Sequence, residues 1–87
     1  MLNPLSYFKS AQPFTVWHSH PQKQSRILIT AGVDGNEYDG INAAKTLIST
    51  YQGNIPITVI PIVNLAGYHA GTSYNPLDGK YSIAVNG

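Results

Sequence analysis

Arg26-Ile27-Leu28-Ile29-Thr30-Ala31-Gly32-Val33-Asp34-Gly35-Asn36-Glu37-Tyr38-Asp39-Gly40 is the stretch on which the fold turns. Its first five residues form a compact apolar run without alternation, the pattern of a strand buried on both faces of a parallel sheet. The run breaks at Gly32-Val33-Asp34-Gly35, where two glycines permit a tight turn and, if needed, a positive φ. A helix is expected from about Glu37 or Tyr38 to Tyr51. Ile41, Ala44, Leu47, Ile48 and Tyr51 fall on one stripe, while Asn42, Lys45 and Ser49 face away. Asn36 is a fair N-cap, and Glu37 and Asp39 suit the positive end of the helix dipole. Gly53-Asn54 is expected to close the helix.

Strand, turn and helix in that order place Asp34 and Glu37 at the carboxyl end of the strand, where α/β sheets bind ligands. Two carboxylates three residues apart, one on the turn and one entering the helix, are able to converge on a cation. The competing explanation is local, since acidic side chains at helix N-termini stabilise the helix by ~0.3–1 kcal/mol each.

Working outward, Ile55-Pro56-Ile57-Thr58-Val59-Ile60-Pro61-Ile62-Val63 is β-branched and reads as the second parallel strand. The prolines trim its usable ladder to about Ile57–Ile60. Strand, helix and strand make one βαβ unit, right-handed by the general rule. Upstream, residues 13–20 alternate loosely and suggest a short edge strand. His18 and His20 would share a face there, as metal-binding pairs do and as hydrogen-bonded or solvated histidines more often do. From Asn64 onward Gly, Asn, Pro, Asp and Ser dominate, the composition of a long loop.

The fold expected is therefore α/β: a βαβ unit with a flanking N-terminal strand, forming part of a larger mixed sheet. The two parallel strands are apolar throughout, yet one helix is available to cover them. Five or so exposed aliphatic side chains at roughly 1.5–3 kcal/mol each would forfeit about 7–15 kcal/mol. Residues 1–25 and 64–87 offer no second amphipathic helix for that face. The unit should belong to a longer chain or form a homo-oligomer through the open face.

Composition sets further limits. At 87 residues the chain is one small or partial domain, 43% hydrophobic but only 10% charged. A net charge of +1, with scattered basic residues, gives no electrostatic case for nucleic acid. The absence of cysteine removes disulfides and thiolate metal sites. No apolar run nears the ~20 residues needed to span a bilayer. The N-terminus lacks the pattern of a signal peptide, so a cytoplasmic location is expected.

Gly32-Val33-Asp34-Gly35-Asn36-Glu37 resembles the Gly-x-His-Gly-x-Glu motif of the succinylglutamate desuccinylase/aspartoacylase family, a branch of the zinc carboxypeptidase superfamily. The likeness continues through Ile60-Pro61-Ile62-Val63-Asn64, Ala70-Gly71-Thr72 and Pro76-Leu77-Asp78-Gly79-Lys80. It implies a zinc carboxypeptidase-like sheet and zinc-dependent hydrolysis of the amide bond of N-acyl amino acids. It maps the first metal ligand, a His in the family, onto Asp34 and the second onto Glu37. A second His and a general-base Glu are implied downstream of residue 87. Zinc is thus the implied cofactor, with Asp34 and Glu37 as metal ligands and Asn64 as a substrate contact. Asn64 also reads as an Asn closing a strand into a turn.

Several positions depart from the family pattern. Aspartate ligates zinc through oxygen, but its charge weakens the metal's pull on bound water. His69 is the nearby candidate for a third ligand, or a surface loop histidine. The substrate-holding Arg before the Pro-x-Asp-Gly turn is replaced by Ser73, and the Asp-Leu-Asn-Arg block after it by Tyr81-Ser82-Ile83-Ala84. Arg26 is the sole arginine, although guanidinium is the preferred bidentate partner of carboxylate. Tyr68, Tyr74 and Tyr81 line the loop as a ligand wall, an interaction surface or scattered packing. The expectation is a truncated or degenerate hydrolase, inactive as this chain alone, or a non-catalytic structural or interaction module.

Overall fold

The computed structural model describes residues 14–77. Its elements in chain order are β1 (Trp17–His18), β2 (Ile27–Thr30), α1 (Tyr38–Thr50), β3 (Ile57–Ile60) and α2 (Leu65–Ala70). The strands form one mixed sheet in the order β1-β3-β2. β2 and β3 run parallel, with Ile27 opposite Ile57 and Thr30 opposite Ile60. β1 runs antiparallel to β3, with Trp17 opposite Val59 and His18 opposite Thr58. The βαβ unit, its flanking strand and the Ile57–Ile60 ladder stand as the sequence predicts.

One face of the sheet carries the core. Ile57 and Val59 are buried with Ala44 of α1, and Trp17, Ile29, Ala31, Leu47, Ile48 and Tyr51 pack around them. Ile41 is also fully buried, so the predicted helical stripe is the one that meets the sheet.

The helix ends differ from expectation. Its N-cap is Glu37, not Asn36, and no side chain caps it. It closes at Tyr51 in an extended conformation, ahead of Gly53-Asn54, and the Tyr51 hydroxyl donates to the Ile55 carbonyl at 2.7 Å.

The other face is less exposed than the sequence suggests. His18, Thr58 and Leu28 lie in one row across the sheet. Thr58 is buried there, hydrogen-bonded to His18 Nδ1 at 2.8 Å and to Ser25 Oγ. Polar partners from the β1–β2 segment thus do what a second helix would otherwise do at the central strand. Within the ladder only Ile27 and Leu28 remain exposed large apolar residues, Leu28 at 63%. The expected loss of five aliphatic side chains is therefore an overestimate.

The run after β3 is not all loop. α2 forms because Asn64 caps it, its side chain accepting from the Gly67 N–H at 3.0 Å. Ala66 and Gly67 are its buried residues. None of the helices among the described residues is long and apolar enough to cross a membrane.

Candidate functional site

The carboxyl ends of β2 and β3 are locked together past the ladder. Ala31 N–H donates to Ile60 O at 2.9 Å, Val63 N–H to Ala31 O at 2.9 Å and Asn64 N–H to Gly32 O at 2.8 Å. Gly32 takes φ +66°, and a Cβ there would lie 2.9 Å from Ile62 Cα and 3.0 Å from Ile41 Cγ1. Both the left-handed backbone and the contact with β3's continuation call for glycine. Gly35 is needed for space alone, since a Cβ on it would run into the backbone of Gly67 and Tyr68.

Asp34 and Glu37 follow from this turn, with Glu37 N–H donating to Asp34 O at 3.2 Å. Both line a cavity of about 400 Å³ between β2 and α1, whose walls are otherwise mainly apolar, including Ile29, Ala31, Ala43 and Leu47. Asp34 is half-buried and Glu37 exposed. Asp34 Oδ1 is buried with no hydrogen-bond partner. An orphan carboxylate oxygen is costly unless a donor or cation meets it. The structure therefore brings the two predicted carboxylates to one cavity.

It does not bring the predicted histidines to them. His18 bonds Thr58 and His20 bonds Ser19 Oγ at 2.7 Å. His69 is exposed at the last turn of α2, its ring 5.6 Å from that of Tyr68. Among the described residues no three His, Asp or Glu side chains group as a metal site. Catalytic zinc takes three protein ligands and one open position. The orphaned Asp34 oxygen suits a cation, but two oxygen donors do not complete a zinc shell, and the described residues do not fit catalytic zinc.

Asn64 is placed beside the turn with both ends of its side chain engaged. Oδ1 accepts from Gly67 N–H, and Nδ2 donates to the Ser73 carbonyl at 3.2 Å. It ties α2 to the following loop. Tyr68 packs edge-on to Tyr38 at 6.1 Å with Lys45 Nζ 5.3 Å from its ring centre, while Tyr74 is exposed. The Asp78-Gly79-Lys80 turn and the block at 81–84 lie outside the described residues. Sequence reasoning missed Gly67 as the packing partner of Gly35. The spacing of Asn64 to Gly67 was its signal, a capping residue three positions before the amide it caps.

The model of the succinylglutamate desuccinylase/aspartoacylase catalytic domain matches residues 23–81, from before β2 to beyond α2. The chain belongs to this family. The succinylglutamate desuccinylase/aspartoacylase assignment agrees with structure. An aspartoacylase family protein from Mesorhizobium loti, solved at 2.00 Å, superposes with a TM-score of 0.60 at 32% identity over 68% of this chain. The chain spans 20% of that protein's length. No curated protein matches the chain. The family is generally zinc-dependent and acts on N-acyl amino acids, a deacylase-like hydrolase chemistry.

Proposed function

We propose that this chain is a degenerate or truncated portion of an N-acyl-amino-acid deacylase that does not turn over substrate by itself. The observation that carries this reading is the pairing of Asp34 with Glu37 in one cavity and no third donor among the described residues. Asp34 and Glu37 are the residues proposed to meet a metal ion, with oxygen donors only. Asn64 is the proposed substrate contact, its side chain held by the Gly67 N–H and the Ser73 carbonyl. Residues 1–87 make up part of one domain, and the proposed location is cytoplasmic.

Three deficits act on separate steps. Two carboxylates give a more anionic setting for a metal-bound water, the general base is not supplied by the matched residues, and Ser73 stands where a guanidinium would hold the substrate carboxylate. General acid–base catalysis alone is worth ~10²–10⁴-fold. The test is a panel of N-acetyl and N-succinyl amino acids with excess zinc, for the chain as given and for Asp34→His. No hydrolysis by either is expected. Zinc-dependent, chelator-sensitive turnover by either would overturn the proposal.

A second reading, a non-catalytic interaction module, is favoured by the exposure of Ile27 and Leu28 on β2, whose outer edge has no partner among the described residues. Association measured without any substrate tests it.

A further inference from the structure

The turn between β2 and α1 offers oxygen donors. From Ile27 to Ala44 the sequence holds three carboxylates, Asp34, Glu37 and Asp39, and no His, Lys or Arg. Glu37 borders two recesses: the cavity it shares with Asp34, and a more polar one lined with Asn36, Tyr38 and Asp39. The Asp34 carbonyl accepts from the Glu37 N–H, so both carboxylates belong to one turn. The seat of Gly35 on Gly67 holds that turn in place.

Helix stabilisation accounts for Glu37 and Asp39, at the N-cap and in the first turn of α1. It does not account for Asp34, which precedes the helix and caps nothing. Its Oδ1 is shut off from solvent without a hydrogen-bond partner, a costly state that a cation relieves.

Donor type decides which cation suits the turn. Catalytic zinc sites build most of their shell from His or Cys. Magnesium takes oxygen, keeps several waters and is ordinarily held by one or two carboxylates. Manganese shares the preference for carboxylate and water. A carboxylate in place of a neutral imidazole attracts every divalent ion more strongly, so the change from nitrogen to oxygen is what separates one ion from another.

Building on the reading of Asp34 and Glu37 as the pair that meets a metal, we propose that this is a site for a hard, oxygen-seeking divalent cation of the magnesium or manganese kind, in place of zinc. Asp34 and Glu37 hold the ion, and water takes the positions they leave. A further donor from elsewhere in the protein would act equally on the Asp34→His variant and so leaves a comparison of the two unchanged.

Mn²⁺ is the probe, being hard and paramagnetic. Added to the 87-residue chain, it should broaden the amide NMR signals of residues 34–37 first, and Mg²⁺ should reverse the broadening. Zinc generally binds more tightly than manganese whatever the site, so the deciding quantity is the ratio of the Mn²⁺ Kd to the Zn²⁺ Kd. That ratio should be smaller in the chain as it stands than in Asp34→His by about tenfold or more. Glu37→Gln, at an exposed position, and Asp34→Asn, which keeps the side-chain shape, should each lose the Mn²⁺ broadening while circular dichroism stays unchanged. Equal ratios, with both ions still at residues 34–37, would overturn the hard-cation preference and leave the metal-meeting pair standing. No binding of either ion would overturn both. Broadening that persists in Asp34→Asn and Glu37→Gln would also overturn the proposal, since it would mark diffuse attraction to an acidic surface.

Discussion

Gly35 rests directly against Gly67, backbone to backbone, so the turn bearing Asp34 and Glu37 is seated on the first turns of α2. A Cβ at position 35 would overlap the Gly67 carbonyl carbon and the Tyr68 nitrogen, atoms of the main chain that have no rotamer by which to yield. The geometry of the site is thus set by a contact between segments that are far apart in the chain.

Gly35→Ala is expected to destabilise the fold by about 1–3 kcal/mol, the usual range for overpacking, or to displace α2 from the turn. Urea denaturation followed by far-ultraviolet circular dichroism measures it. A midpoint equal to that of the unsubstituted chain would mean that the two segments are not in contact. Gly40→Ala is the control, because no atom lies within 4 Å of a Cβ there. It should be neutral or slightly stabilising, by up to ~1 kcal/mol, through helix propensity.

Asn64→Ala removes a helix cap and the link to the Ser73 carbonyl together. The expected cost is ~1–2 kcal/mol. Asn64→Asp keeps the oxygen that accepts from Gly67 and loses only the amide donor, so it should cost less than Asn64→Ala. The two urea midpoints in the opposite order would contradict the capping role.

Zinc should bind weakly, at micromolar Kd or above, because two oxygen donors leave its shell to water. Catalytic and structural zinc sites ordinarily take three or four protein ligands. Calorimetry is the measurement, with Glu37→Ala expected to abolish binding and Asp34→His to tighten it. Nanomolar affinity lost on Glu37→Ala would reveal a third ligand beyond the described residues.

Thr58→Val tests the polar cover on the sheet's second face. The substitution is nearly isosteric and favours the strand, yet it strips His18 and Ser25 of their shared partner. A net loss of ~0.5–1.5 kcal/mol is expected. Leu28→Thr, in the same row but 63% exposed, should change stability by no more than ~0.5 kcal/mol. Equal effects at the two positions would show that the hydrogen bonds contribute nothing.

The sequence by itself determined β2, α1 and β3, because each is governed by local physics. Unbroken apolar residues mark Ile27–Thr30, a 3.6-residue stripe marks the helix, and Pro56 and Pro61 bracket the four-residue ladder of β3. The motif around Asp34 and Glu37 was legible for the same reason, as a short pattern at fixed spacing. Only the tertiary structure decided the rest. It set Thr58 against His18, 40 residues away, and Ser25, 33 residues away, turning an apparent apolar face into a partly polar one. It raised α2 out of a glycine- and asparagine-rich run that reads as loop, since Asn64 and the contact with Gly35 outweigh poor local propensity. It left Asp34 Oδ1 buried without a partner. Burial, orphaned atoms and backbone-to-backbone contact belong to pairs of residues distant in the chain, and periodicity along one segment carries no information about its distant partners.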